Sequence, residues 1–230
     1  ADAAAKMAIL ATIAFGSRVT LADVAYEGIE EIVPSHIRAA DEMGMVVRLI
    51  GAATLVDGAY DVRVQPALVD RHHPLAAVEG AFNAVMLQGD AIREIMLEGP
   101  GAGGIETASA VVADMVSIVG TTGTGFLQDD AAWRTLERLE PGRLEAPFYL
   151  RIEVDDRAGV LAHVAERLAA HGVSVARLVQ HQLGGGAALH VVTHRAPTGA
   201  VNAALAEIEA LPESQGRPTR LAVVSDRGVP

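Results

Sequence analysis

The last third of the chain carries the pattern that most limits what it can fold into. In the segment PFYLRIEV, residues 147–154, apolar side chains alternate with tyrosine, arginine and glutamate. A period of two indicates a β-strand with one buried face. A helical stripe of valine and leucine follows over residues 160–168, and two further strand-like segments flank the glycines at 184–186. Adjacent glycines between two such segments are typical of a β-hairpin.

A second helical stripe and a last strand complete this region. Val201, Leu205 and Ile208 recur at helical spacing, and residues 219–224 form a short, mostly apolar segment. The resulting order, β-α-β-β-α-β, is that of the ferredoxin-like fold. We therefore predict a ferredoxin-like domain over residues 147–230.

The first half of the chain predicts a different arrangement. Four strand-like segments form two pairs, and each pair flanks a turn, Asp57-Gly58 in the first and Gly89-Asp90 in the second. Such turns predict β-hairpins. The predicted strands cover residues 46–55, 60–68, 82–87 and 92–97. Helices are predicted before and after them, so we expect one antiparallel or mixed sheet with helices on one face, and an α+β chain as a whole.

Between these two regions the composition changes. A glycine- and threonine-rich stretch is followed by an acidic pair and then by a charged segment that contains Pro141-Gly142. Such a change is typical of a linker. We predict a first domain over residues 1–125, a linker over 126–146 and a second domain over 147–230.

Charge and cysteine content exclude several kinds of function. The net charge is −11 at pH 7, which argues against nucleic-acid binding and against polybasic membrane attachment. The chain has no cysteine, so disulfides and thiolate chemistry are excluded, and this fits a reducing cytoplasm. The apolar run Met7–Phe15 is too short to span a membrane and lacks a signal-peptide cleavage site. We expect a cytoplasmic protein with no nucleic-acid or membrane partner.

A metal site is not expected either. His72 and His73 are adjacent, and neighbouring histidines rarely bind one ion. No cluster of acidic residues and histidines with ligand spacing supports them.

The first candidate for chemistry is the pair Asp2 and Lys6, four residues apart on a helix predicted over residues 2–14. This spacing places both side chains on one helical face. One interpretation is an exposed ion pair of little energetic value. The other is a lysine held in a cleft by the carboxylate, because the apolar residues around it leave no polar face for solvent. Such a lysine can polarise a carbonyl oxygen and exchange a proton with an alcohol.

The second candidate is the glycine-rich stretch GPGAGG, residues 99–104, which opens another predicted helix. Glycines let a backbone approach a ligand closely, and a helix N-terminus attracts polar or anionic groups. No parallel βαβ unit follows, so a nucleotide fingerprint is weak here. A simple helix entry after a tight turn explains the same residues.

The third candidate is the turn DDRAG, residues 155–159, between the first strand and the first helix of the second domain. One interpretation is a loop for a small ligand, whose carboxylate would face the helix N-terminal amides. The other is that Asp156 merely caps the helix.

The chain resembles homoserine dehydrogenase over its whole length. The resemblance is carried by the helix DAAAKMAILATIAFG, by the segment GPGAGGIETASAVVADM about a hundred residues further on, and by the β-α-β-β-α-β module that follows. In that family the first motif reads D-x-x-x-K-x-A-I-L-A, and its lysine is the proposed acid/base. The resemblance implies that Lys6 is catalytic and that Asp2 binds the substrate hydroxyl and orients the lysine. The glycine-rich stretch resembles the segment that lines the cofactor, NAD or NADP, and implies contacts from Gly101, Gly103 and Thr107.

The last domain resembles an ACT domain, the amino-acid-sensing module through which threonine inhibits many such enzymes. The resemblance implies an effector site formed by Asp156, Ala158, Gly159 and Val160. It also implies a homodimer, because the family's central domain pairs. The activity implied is the NAD(P)-dependent interconversion of L-homoserine and L-aspartate 4-semialdehyde, in threonine and methionine biosynthesis.

The chain departs from the family pattern in two respects. The family's nucleotide-binding domain and an acidic motif that holds the substrate amino group should precede residue 1. We therefore expect this chain to be the C-terminal part of a longer enzyme and to be inactive by itself. Glu106 also stands where the family has proline. The alternative function is an amino-acid-binding regulatory and dimerisation module without catalysis.

Overall fold

A computed structural model of the protein describes residues 1–120 and 133–225. The helices in these residues are α1 (Asp2–Phe15), α2 (Pro34–Glu42), α3 (Gly104–Gly120), α4 (Val160–Ala170) and α5 (Thr198–Glu209). The strands are β1 (Ala25–Tyr26), β2 (Met45–Val56), β3 (Ala59–Asp70), β4 (Phe82–Gly89), β5 (Arg93–Pro100), β6 (Glu137–Arg138), β7 (Glu145–Ala146), β8 (Phe148–Val154), β9 (Val175–Leu183), β10 (Gly186–Thr193), β11 (Ala196–Pro197) and β12 (Thr219–Val224).

Four strands of the C-terminal part have the predicted ferredoxin-like topology. The order is β12-β8-β10-β9, and every neighbouring pair is antiparallel. Helices α4 and α5 cover one face, where Phe148, Leu150 and Ile152 are fully buried. Burying a side chain of this size stabilises the fold by about 1.5–3 kcal/mol. The alternating pattern in the sequence of β8 therefore arises because its side chains point in turn to the face covered by α4 and α5 and to the opposite face.

The sheet continues into the first part of the chain. Strand β12 pairs in parallel with β3, with Ala222, Val223 and Val224 opposite Ala67, Leu68 and Val69. Strands β1, β2 and β6 also pair with β3, so eight strands form one mixed sheet. This connection is not among the pairings predicted from the sequence. It removes an exposed edge from both β3 and β12 by satisfying their backbone hydrogen-bonding groups.

Both faces of this sheet carry helices. Helix α1 covers β3 through the cluster that contains Val62 and Val64, and α2 covers the same face further along, around Leu68 and Tyr149. The side chains of α4 and α5 lie on the other face. The first part of the chain therefore has α1 and α2 on one face, as expected.

The second predicted hairpin does not join this sheet. Strands β4 and β5 pair only with each other among the described residues, from Phe82 opposite Pro100 to Gly89 opposite Arg93. The prediction of one four-stranded sheet is therefore wrong in this respect. A short 3-10 turn at Pro74–Ala77 separates β3 from β4 and redirects the chain. In the described part of the chain, no side chain of α3, which follows this hairpin, is buried.

Residues 133–146 contact both parts of the molecule. Strand β6 pairs with β3, and β7 pairs with β11 at the start of α5. The rest of the predicted linker, residues 126–132, lies outside the described residues. Within residues 1–120 and 133–225, no helix is both long and apolar enough to cross a membrane.

Candidate functional site

Helix α1 forms because its sequence is rich in alanine, the best helix former, and it ends at Gly16, whose φ of 58° gives a left-handed C-cap. Ala4, Ala8 and Ala11 are buried against β3. Their small side chains let the helix approach the sheet closely. The alanine face of α1 therefore packs against the sheet, while Ile9, Leu10 and Ile13 form a second apolar face that is exposed.

Asp2 and Lys6 lie on the opposite, outer face of α1. The Lys6 Nζ is 2.8 Å from Asp2 Oδ2, and the two side chains are 65% and 84% exposed. The ion pair predicted from the spacing is present, but the expectation of a lysine in a cleft is wrong for the described chain. The reason is that the alanine face of α1 packs against the sheet, so that Asp2 and Lys6 point outward. The hydrogen bond from Lys6, together with its charge, lowers the pKa of Asp2.

A cavity of about 490 Å³ lies beside Asp2. The first turn of α1, the segment 26–30, Leu49 and Val64 line it. The segment is held by the Glu27 amide, which donates to the Val64 carbonyl at 2.8 Å. Asp2, Glu27 and Glu30 are among the residues that line this cavity, and an acidic lining favours a cationic group such as an ammonium. Lys6 lies one turn further along the same helix and is not among the residues that line this cavity.

The glycine-rich stretch connects β5 to α3. At Gly103 φ is +150°, a value that favours glycine, and an ideal Cβ there would be 1.9 Å from the Glu106 carboxylate. A Cβ on Gly101 would be 1.2 Å from Asn83 Nδ2. The Thr107 amide already donates to the Gly103 carbonyl at 3.1 Å. Both Cβ contacts are with the ends of flexible side chains, so only Gly103, with its positive φ, is required for local backbone reasons.

The structure does not bring this loop together with Lys6. Neither the glycine-rich stretch nor α3 contributes to the cavity beside Asp2. A cavity of about 590 Å³ between β2 and the start of β4 does include Asn83 in its lining, along with Arg48 and Glu79.

The turn over residues 155–159 leads into α4 through Gly159, which is the N-cap residue with φ of 94°. The alternative in which Asp156 caps the helix is therefore wrong. Instead, the Asp156 carboxylate accepts hydrogen bonds from Gln180 Nε2 at 3.4 Å and from Gln182 Nε2 at 3.2 Å. Both glutamines belong to β9.

The remaining predicted effector residues differ in accessibility. Ala158 and Gly159 are exposed, whereas Val160 is 4% exposed and belongs to the core under the sheet. The Val160 amide donates to the Arg157 carbonyl at 3.4 Å. Below the turn, Gln215 Nε2 donates to Asp155 Oδ1 at 2.8 Å, which fixes the first aspartate to the loop before β12.

Four residues near these candidate sites were not predicted from the sequence: Gln180, Gln182, Tyr26 and Glu27. Gln180 and Gln182 gave a signal, since they alternate on one face of a predicted strand. Tyr26 and Glu27 gave no sequence signal, because their position in the cavity wall beside α1 depends on the pairing of β1 with β3.

The adjacent histidines have local roles. His73 is 3% exposed, and its Nδ1 accepts a hydrogen bond from the Leu75 amide at 3.2 Å. Among the residues that the structure describes, no group of three or more acidic or histidine side chains has the geometry of a metal site.

Comparisons with known proteins agree with the division of the chain. The family model for homoserine dehydrogenase matches residues 1–116, and that for the ACT domain matches residues 148–213. The homoserine dehydrogenase of Mycobacterium tuberculosis is 39% identical over 94% of this chain and 52% of its own length. That of Synechocystis sp. is 38% identical over 97% of this chain and 54% of its own length.

A solved structure of similar shape is a homoserine dehydrogenase from Thiobacillus denitrificans, with a TM-score of 0.90 and 32% identity over 97% of this chain and 53% of that one. The homoserine dehydrogenase from S. aureus has a TM-score of 0.68 at 25% identity, over 99% of this chain and 53% of that one. The chain thus spans about half the length of the curated relatives that it matches. On these matches, the chain belongs to the homoserine dehydrogenase family and carries an ACT domain.

Proposed function

We propose that this chain supplies the acid/base group and the regulatory module of an NAD(P)-dependent homoserine dehydrogenase, in threonine and methionine biosynthesis. The observation that carries the proposal is the Asp2–Lys6 pair, 2.8 Å apart beside an acid-lined cavity. It lies inside the region that matches the family model. We further propose a cytoplasmic location, consistent with the absence of cysteine.

The ammonium of Lys6 donates a hydrogen bond to the aldehyde oxygen of L-aspartate 4-semialdehyde and gives it a proton as the alcohol forms. In the reverse direction Lys6 takes the hydroxyl proton of L-homoserine. Asp2 orients the ammonium and binds the substrate hydroxyl. Since Lys6 is 65% exposed, solvent can restore its proton after each reaction. The acidic wall formed by Glu27 and Glu30 attracts the substrate ammonium.

NAD or NADP, when bound, supplies or accepts the hydride. The backbone of Gly104 is open, since an ideal Cβ there would meet nothing within 4 Å, and this permits a close approach. Gly101, Gly103 and Thr107 are the residues that we propose for cofactor contact. Glu106 places a carboxylate against Gly103, so the loop suits a neutral edge such as a carboxamide or a ribose better than a phosphate.

The ACT domain is proposed to bind an amino acid, with threonine as the first candidate. Asp156 offers an exposed carboxylate for the effector ammonium. We propose that the effector's carboxylate lies at the N-terminus of α4, near Ala158, Gly159 and Val160.

We also propose a homodimer. Large apolar side chains are exposed on the β4–β5 hairpin and on α3, among them Phe82 at 51%, Leu97 at 63% and Ile105 at 84%. Exposed apolar surface of this extent is typical of an interface. Sedimentation velocity of the 230-residue chain tests this, and a monomer at all concentrations contradicts it.

A fusion protein tests the enzymatic proposal. The part of the Mycobacterium tuberculosis enzyme that this chain does not match is joined to Ala1, and oxidation of NADPH or NADH by aspartate semialdehyde is followed. We expect turnover by the fusion and none by the 230-residue chain alone, since hydride transfer needs the cofactor. Turnover by the chain alone contradicts the second expectation, and an inactive but folded fusion contradicts the first.

The second candidate is an amino-acid-binding and dimerisation module without catalysis. The exposure of Lys6 in the described chain favours it. In that case threonine raises the thermal stability of the chain, while the fusion remains inactive.

A further inference from the structure

Helix α2 lies on the face of the ACT sheet that α4 and α5 leave open. Ala39 and Ala40 are buried with Tyr149 of β8 and Val192 of β10. The Arg177 guanidinium of β9 donates to the Met43 carbonyl, at the C-terminal end of α2, at 3.2 Å. The first part of the chain is therefore attached to the ACT domain through α2 as well as through β3.

Strand β9 contacts α2 on one face and the proposed effector turn on the other. Because side chains alternate along a strand, Gln180 and Gln182 point to one face, where both amides reach Asp156. His181 points to the opposite face, where its Nε2 is 3.3 Å from Glu42 of α2. Three consecutive residues thus connect the turn to the helix.

Strand β9 has little buried surface. It is the last strand of the sheet and pairs only with β10 among the described residues. Eight of its nine residues are exposed, and His181 alone is partly covered. Elements with little buried surface open or shift at low cost.

The ring against which His181 lies is fixed. The centroids of the His181 and His190 rings are 5.0 Å apart. His190 is 6% exposed, and its Nδ1 is hydrogen-bonded to the Tyr149 hydroxyl at 2.8 Å. A shift of β9 therefore changes the position of His181 relative to both His190 and Glu42.

We propose that β9 couples occupancy of the Asp156 turn to helix α2, with His181 as the positioning residue. The inference rests on the proposed function, in which an amino acid binds at this turn. The effector ammonium competes with Gln180 and Gln182 for the Asp156 carboxylate. When these contacts are lost, β9 shifts, His181 withdraws from Glu42, and α2 becomes less firmly held.

Hydrogen exchange of the 230-residue chain tests this coupling, with threonine affinity measured by calorimetry. We expect threonine to protect the turn and to speed exchange in α2 by about two- to tenfold, the effect of losing one hydrogen bond. In His181→Ala the affinity for threonine stays close to that of the unchanged chain, but the response of α2 is lost. His171→Ala is the matched control, because His171 pairs with Glu207 at 2.9 Å inside the ACT domain, and it should keep the response.

Binding without any change in α2, or a full response in His181→Ala, overturns the coupling. A second comparison needs no effector. Asp156→Ala removes both glutamine contacts, so it should speed exchange in α2 by itself and have no further effect in the His181→Ala background. Equal effects in both backgrounds overturn the coupling. Absence of threonine binding, by contrast, contradicts the proposed effector, whatever the outcome of this second comparison.

Discussion

Lys6 and Asp2 face outward because Ala4, Ala8 and Ala11 take the inner face of α1. A catalytic lysine need not be buried to transfer a proton, but it needs a partner that orients it and a substrate held nearby. Asp2 supplies the first, and the cavity beside it is our candidate for the second. The exposure of the pair also means that its removal should hardly affect folding.

Replacement of Lys6 by methionine should therefore leave the stability of the 230-residue chain unchanged. Exposed ion pairs contribute little, since solvent screens them. Urea denaturation checks this, with Lys6→Met and the unchanged chain expected to share one midpoint within error. A clear drop would show that Lys6 is structural.

Gly142 is a glycine that the fold requires. Its φ is +91°, and an ideal Cβ would lie 3.1 Å from the Gly199 Cα. We expect Gly142→Ala to destabilise the chain by about 1–3 kcal/mol, because it adds backbone strain and a contact with backbone atoms. Gly184→Ala is the control, since its Cβ would meet nothing within 4 Å. Equal urea midpoints for the two variants would contradict this account.

At the scale of elements, the interface between α2 and the ACT sheet contains buried polar groups. His190 lies there with its ring against His181 and its Nδ1 bonded to Tyr149. Burial, and to a lesser extent the charges of His181 and Arg151, lowers the pKa of His190 from 6.5 to about 4. Burial also raises the pKa of Tyr149 to about 12, so both groups are neutral at pH 7.

This lowered pKa makes stability depend on pH. Between about pH 6.5 and 4 the unfolded imidazole binds a proton and the folded one does not, so acid favours unfolding in that window. We expect His190 to account for a loss of about 2 kcal/mol between pH 7 and pH 5. In His190→Gln that loss should be smaller by this amount. Parallel pH profiles for His190→Gln and the unchanged chain would contradict the burial of a neutral His190.

Local sequence patterns predicted the individual strands and helices better than they predicted which strands pair with each other. The alternation in β8 and the glycines before β10 were enough for the ferredoxin-like order, because period and turn chemistry are local. The pairing of β3 with β12 was not predictable, since parallel pairing joins segments far apart in the sequence and has no turn to mark it. For the same reason the spacing of Asp2 and Lys6 predicted their ion pair but not its exposure, which depends on how α1 is placed on β3.

At the scale of the whole molecule, one sheet joins the region that matches the homoserine dehydrogenase family model, residues 1–116, to the ACT domain. Leu68 lies at this junction, fully buried between α2 and β12. A change in the ACT domain can therefore reach the first part of the chain through backbone hydrogen bonds as well as through α2.

Leu68→Ala should destabilise both parts together. A buried leucine truncated to alanine typically costs about 2–5 kcal/mol. We expect hydrogen exchange to become faster in β8 and β10 as well as in β2, and urea unfolding to remain a single transition. Faster exchange confined to residues before 120 would show that the two parts unfold independently.

The most direct test of the account is the turnover number of the fusion protein with Lys6→Met. We expect a loss of about 10²–10⁴-fold, the usual contribution of a general acid/base, with the KM for aspartate semialdehyde changed far less. Arg71→Met, which removes another exposed ion pair, with Asp41, should keep full activity. Turnover by Lys6→Met equal to that of the unchanged fusion would contradict the assignment of Lys6 as the proton donor.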